Sequence, residues 1–167
     1  MIYVIRHGQT DWNKERRMQG RNGLPLNDEG MNQAFRLKEQ LSNIKFDYVF
    51  SSPQERAVQT AEIASGRKVI IDERLDVFDL GEADGMLIND VQMDDVLPNK
   101  QIYSGVENTN DFVNRVFSFL HELDKKYRDT EVNILISGHR CTTGCIGAYF
   151  QGIPDDENIL QFSSDNG

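Results

Sequence analysis

Short β-rich runs at Tyr3 to Ile5, Tyr48 to Phe50, Val69 to Ile71 and Asn133 to Ile136 alternate with longer segments whose apolar residues recur at helical spacing. Runs this short cannot stand alone, and the segments between them are long enough to return the chain to the same end of a sheet. The alternation therefore predicts an α/β fold, a three-layer sandwich with a largely parallel central sheet flanked by helices. At 167 residues the chain suits one domain with one continuous core, so a single domain over residues 1–167 is expected.

Four helices follow from the spacing. After Asn27, residues Met31, Ala34, Phe35, Leu37, Leu41 and Ile44 form an apolar stripe. Ser52-Pro53 reads as an N-cap with proline at the first helical position, ahead of Ala57, Val58, Ala61 and Ile63. The longest helix starts near Asn108 to Asn110 and turns Phe112, Val113, Val116, Phe117, Leu120 and Leu123 inward; a fourth follows His139 and does the same with Cys145, Ile146, Tyr149 and Phe150. The stretch from Gly81 to Gly105 is irregular and acidic, with Pro98 inside it, which suits a lid or side wall over a site.

A formal net charge of −9 repels polyanions, so neither nucleic acid nor an anionic membrane surface is expected as a partner. Any anion must be caught locally, by arginines in a cleft. No apolar run approaches the roughly 20 residues of a membrane span, and Met1 to Ile5 runs directly into Arg6-His7-Gly8 with no room for a secretory signal, so a cytoplasmic protein is expected. Cys141 and Cys145 share one helix face and read as small core residues rather than a disulfide or half of a metal site.

The chemistry gathers where strands end. Arg6-His7-Gly8 follows the first strand, Ser51-Ser52-Pro53 and then Arg56 follow the second, and Ser137-Gly138-His139-Arg140 closes another. In α/β sheets these carboxyl ends line the ligand crevice. One histidine or arginine taken alone is usually structural or solvated. Two histidines and two arginines delivered to the same edge suit a phosphoryl pocket, in which imidazole is the nucleophile and fixed positive charge stabilises the transition state. In this reading Gly8 lets the backbone approach the anion closely.

These motifs resemble the histidine phosphatase superfamily, the phosphoglycerate mutase-like family. The stretch Arg6-His-Gly-Gln-Thr-Asp-Trp-Asn13 matches that family's opening motif position for position. Gln19-Gly20, Leu24-Pro-Leu26 and Glu29-Gly30 are similar to its loop into the first helix, and Ser51-Ser-Pro53 with Arg56, Gln59, Thr60 and Ala61 to its second block. Gly105 and Glu107 with Phe112, Arg115 and Val116, and then Ser137-Gly-His139, complete the likeness. The resemblance implies that His7 becomes phosphorylated, that Arg6, Arg56 and His139 bind and polarise the phosphoryl group, and that Gly8, Asn13, Gln19 and Gly20 line the site. It implies no metal and no organic cofactor, and as partner a small phosphorylated substrate or a phosphoprotein.

Two departures qualify the likeness. The family's general acid, a glutamate, falls at Val77 within Leu75-Asp76-Val77-Phe78-Asp79-Leu80-Gly81, and valine donates no proton. Three readings stay open: Asp76, Asp79 or Glu82 stands in, the leaving group needs no acid, or the chain is a phospho-ligand binding pseudoenzyme. Second, Ser163 to Gly167 resembles the lead into a final strand, and the chain stops there: either that strand is absent, leaving an open edge that permits a homodimer, or the chain is truncated. Phosphomonoester hydrolysis is the expected activity, with the binding pseudoenzyme next and a mutase-type phosphotransferase third, because the chain is short for the enclosure a mutase needs.

Overall fold

The computed structural model describes residues 1–152, 160 and 163. Four parallel strands, β1 (Ile2–Arg6), β2 (Tyr48–Ser51), β3 (Ile70–Ile71) and β6 (Ile134–Gly138), form a sheet in the order β1-β6-β2-β3. The helices are α1 (Asp11–Lys14), α2 (Asp28–Gln40), α3 (Glu55–Ser65), α4 (Thr109–Tyr127) and α5 (Arg140–Gln151). The strands β4 (Met93–Asp94) and β5 (Leu97–Pro98) make a separate small antiparallel ladder.

Side chains alternate across a strand, so each sheet residue chooses one of two cores. Ile134 and Ile136, with Ile2, Val4, Tyr48 and Phe50, pack with Phe112, Val116, Phe119 and Leu120 of α4 and Cys145 and Ile146 of α5. Ile5, Val49, Leu135 and Tyr3 face the other way, onto Leu37 of α2 and Ala61 and Ala64 of α3. The result is a parallel sheet between two helical layers. Strand β6 lies between β1 and β2 with all five residues buried, as a strand covered on both faces must be.

Several local expectations shift. Phe35 is 51% exposed and Phe150 54% exposed, so neither joins the core. Phe35 follows Ala34 by one position, about 100° around α2 from the buried stripe of Ala34 and Leu37. Phe150 sits in the last turn of α5 with its ring edge-on to Tyr149. Helix α3 opens two residues later than the Ser-Pro signal predicts, with Gln54 as its N-cap, because the Ser52 hydroxyl accepts from the Gln54 N–H and engages His139 instead. Asn108 does cap α4, accepting from the N–H groups of Asn110 and Asp111.

The segment from Gly81 to Gly105 consists of short 3₁₀ turns and the β4–β5 ladder, and it is laced to the loop after α1. Met18 N–H donates to Met86 O at 2.8 Å, and Gly85 N–H to Met18 O at 2.9 Å. Cys145 is fully buried and Cys141 partly so; burial pushes their thiols up to about 12 and about 11, which keeps both protonated. Among the described residues no helix is long and apolar enough to cross a membrane. The expected lead into a final strand lies, beyond Ser163, outside the described residues.

Candidate active site

Strand register brings the motifs together. Arg6 pairs with Gly138 across β1 and β6, and His7 N–H donates to Gly138 O at 3.1 Å, so His7 and His139 leave neighbouring strands at the same level. On the other side Ser51 pairs with Ser137, and Ser52 N–H donates to Ser137 O at 3.1 Å, which sets the start of α3 and its Arg56 beside them. The two imidazole rings stand 5.2 Å apart, centroid to centroid.

His7, Arg56 and His139 are each at most 3% exposed, and Arg6 is half-buried. His7 Nδ1 lies 2.7 Å from Gly8 O, a carbonyl that can only accept. That contact puts the ring proton on Nδ1 and the lone pair on Nε2. Burial, reinforced by the charge of Arg56 and then Arg6 against the hydrogen bond to Gly8, pushes the His7 pKa down to about 3. The imidazole is therefore neutral at pH 7, the state a nucleophile needs. Burial, followed by Arg56, His7 and Arg6, likewise holds His139 well below the ordinary histidine range.

Arg56 donates from Nη2 to Gly20 O at 2.9 Å, and its Nε has no hydrogen-bond partner among the described residues. Burial lowers its pKa to about 10 against the opposing pull of Asp84 and Asp76, so it remains a cation at neutral pH. Gly23 makes room for it, since a Cβ there would stand 2.3 Å from Arg56 Nη1. The Gly20 N–H and Asn22 N–H both donate to Asp84, at 2.7 and 2.9 Å, fixing the loop that meets Arg56. Gln19 Oε1 accepts from the Thr10 hydroxyl and Leu24 N–H, while Gln19 Nε2 is buried with no partner among the described residues.

Two expected site residues also make structural contacts. Gly8 commits its N–H to the Thr60 hydroxyl at 3.0 Å, and its missing side chain clears Gly30, whose carbonyl oxygen would lie 2.5 Å from a Cβ. The glycine thus serves the approach of β1 to α2. Asn13 Oδ1 accepts from Thr10 N–H and Asn13 N–H donates to the Thr10 hydroxyl oxygen, closing a capping box on α1.

Val77 is 4% exposed within the core. Of the three substitute acids, Asp76 is buried, accepting at Oδ1 from Gln54 Nε2 and Val77 N–H with Arg21 Nε 3.4 Å from Oδ2, and its charge reaches Arg56. Asp79 accepts from Gly81 N–H and lies 3.7 Å from Arg21, and Glu82 turns to Ser104 N–H. Arg115 fastens the segment from behind: it donates to the carbonyls of Arg74, Asp76 and Val77 and pairs with Glu107, which in turn accepts from Asp79 N–H.

A cavity of about 540 Å³ opens between the β4–β5 wall and the starts of α4 and α5, lined by Phe78, Leu97, Pro98, Phe112 and Cys141 among others. None of the four convergent side chains lines it. Among the described residues no three His, Cys, Asp or Glu side chains stand together as a metal site. Sequence reading missed Asp84 and Gly23. Neither belongs to a local motif, and their roles exist only once the Gly20 loop folds over Arg56.

Residues 2–167 match the family described as histidine phosphatase superfamily, branch 1. A probable phosphoglycerate mutase, GpmB, from Salmonella choleraesuis (strain SC-B67) is 28% identical over 167 residues, covering 92% of this chain and 75% of that protein. An uncharacterized phosphatase, PhoE, from Bacillus subtilis (strain 168) is 30% identical over 140 residues, covering 82% and 71%. The crystal structure of the alpha-ribazole phosphatase from Shigella flexneri superposes with a TM-score of 0.83 at 26% identity, over 99% of this chain and 86% of that one.

Proposed function

This chain belongs to the histidine phosphatase superfamily, and from that premise we propose that it hydrolyses phosphomonoesters through a phosphohistidine formed at His7. The observation that carries the reading is a buried, neutral His7, its proton directed to Gly8 O, set 5.2 Å from His139 in a pocket that also holds the buried Arg56. A guanidinium is costly to bury even with Asp84 and Asp76 pulling on it, and an anionic ligand offsets that cost.

In the proposed reaction the Nε2 lone pair of His7 attacks phosphorus in line with the ester oxygen. The P–O bond breaks as the P–N bond forms, and the leaving oxygen takes a proton from an acid or from water. Arg6, Arg56 and His139 stabilise the charge on the equatorial oxygens. Water then attacks the phosphohistidine, giving inorganic phosphate and restoring the neutral ring. The residues supply the positive charge themselves, so the scheme calls on no metal or cofactor.

With Val77 in the core, Asp76 is the side chain we assign to protonate the leaving group. A second reading, a phospho-ligand binder with little turnover, draws on the same absence of a glutamate. A chromogenic aryl phosphate separates the two, because its leaving group needs little protonation. Wild type should hydrolyse it and His7→Ala should not; if both are inert yet bind inorganic phosphate, the protein is a binder.

A further inference from the structure

The serine that fails to cap α3 is the informative one. Ser52 is fully buried at the end of β2, and its Oγ lies 2.7 Å from His139 Nε2. The same oxygen accepts from Gln54 N–H at 3.2 Å. A hydroxyl has one proton to give, and among the described residues His139 Nε2 is the acceptor in reach. If Nε2 instead carried the proton, Ser52 would hold a buried hydrogen with no acceptor, and His139 Nδ1 would bring a bare lone pair into a pocket built for anionic oxygens. His139 Nδ1 is buried with no hydrogen-bond partner among the described residues, an expensive position for a polar atom unless a ligand completes it.

We propose that Ser52 is a positioning residue that holds His139 in the Nδ1–H tautomer, so that a neutral imidazole donates from Nδ1 to a phosphoryl oxygen. The proposal rests on the phosphoryl pocket above and adds to it how the second histidine binds without a charge. The two rings then adopt one tautomer and use opposite ends of it: His7 offers the Nε2 lone pair and His139 the Nδ1 proton. The low-lying pKa of His139 agrees with this, since a neutral ring has a tautomer to choose.

Nitrogen-15 spectra of the imidazoles, assigned with His7→Ala and His139→Ala, test the tautomer in the ligand-free protein. In wild type, His139 should show a protonated Nδ1 and a bare Nε2. Ser52→Ala should redistribute the proton toward Nε2 and lower kcat/KM on an aryl phosphate about 10- to 100-fold, in the range found when a group orienting a reactive side chain is lost. Ser52→Thr, which keeps the hydroxyl, should hold the wild-type tautomer. A proton on Nε2 of His139 in wild type overturns the proposal, and so does a Ser52→Ala protein with unchanged tautomer and turnover. If Ser52→Ala does not fold, the wild-type spectrum decides by itself. Retained turnover in His7→Ala would count against the phosphohistidine reading alone, leaving the tautomer assignment intact.

Discussion

Lowering the pH from 6.5 to about 4.5 should cost this fold on the order of 2 kcal/mol through His7, with His139 acting in the same direction. His7 and His139 are 3% and 2% exposed, and burial beside Arg56 and Arg6 depresses both pKa values, that of His7 to about 3 from its ordinary 6.5. In the unfolded chain both rings protonate as pH falls through 6.5, whereas in the folded protein they stay neutral. The unfolded state therefore binds more protons across this window, and stability drops as pH falls until the folded groups begin to titrate. A ring contributes at most about 1.4 kcal/mol per pH unit, and integrating from 6.5 to 4.5 gives about 2 kcal/mol for His7. Carboxylates with lowered pKa, such as Asp72 and Glu107, lose their contribution at lower pH and leave the window largely clear. Urea titrations of wild type, His7→Gln and His139→Gln at both pH values isolate the effect, since shared changes in net charge cancel in the difference. The His7→Gln protein should lose about 2 kcal/mol less than wild type on acidification, and the His139→Gln protein should also lose less; equal losses in all three would show that the rings are not held neutral.

Other consequences concern the scaffold around the site. Asp84→Ala releases the Gly20 loop that Arg56 grips, and should raise the inhibition constant of inorganic phosphate about 10-fold, the worth of a hydrogen bond to a charged group. Arg115→Ala frees Glu107 and the carbonyls of Arg74, Asp76 and Val77 and removes a guanidinium 4.7 Å above the Phe112 ring, so unfolding free energy should fall by about 3 kcal/mol or more in chemical denaturation. Asp76→Asn should slow alkyl phosphates by ~10²-fold or more while sparing aryl phosphates with good leaving groups, as a rate series against leaving-group pKa would reveal. An equal slowing of both would remove Asp76 as the acid.

The layering was legible because the sheet residues are few and strongly apolar: Ile134, Leu135 and Ile136 read as a buried strand at once, and the alternation of helices and strands fixed the rest. The histidines and arginines were legible because they sit directly at strand ends, where register alone carries them together. Exposure of Phe35 and Phe150 was not, because apolar spacing marks a face without saying how far the neighbouring layer extends. Ser52 was misread for a related reason. A serine before proline satisfies a local capping rule, but its hydroxyl here answers to His139, 87 residues away in sequence. Asp84 and Arg115 likewise act on backbone groups brought near only by the fold, and backbone groups leave no trace in residue type.

The central claim is that His7 carries the phosphoryl group between substrate and water. Rapid quenching of wild type during turnover of a phosphomonoester, under alkaline conditions that preserve the P–N bond, followed by peptide mass analysis, reads this directly. A phosphoryl group on the peptide containing His7, absent from His7→Ala, is the predicted result. Steady turnover with no phosphorylated His7 at any quench time, or undiminished turnover in His7→Ala, would contradict it.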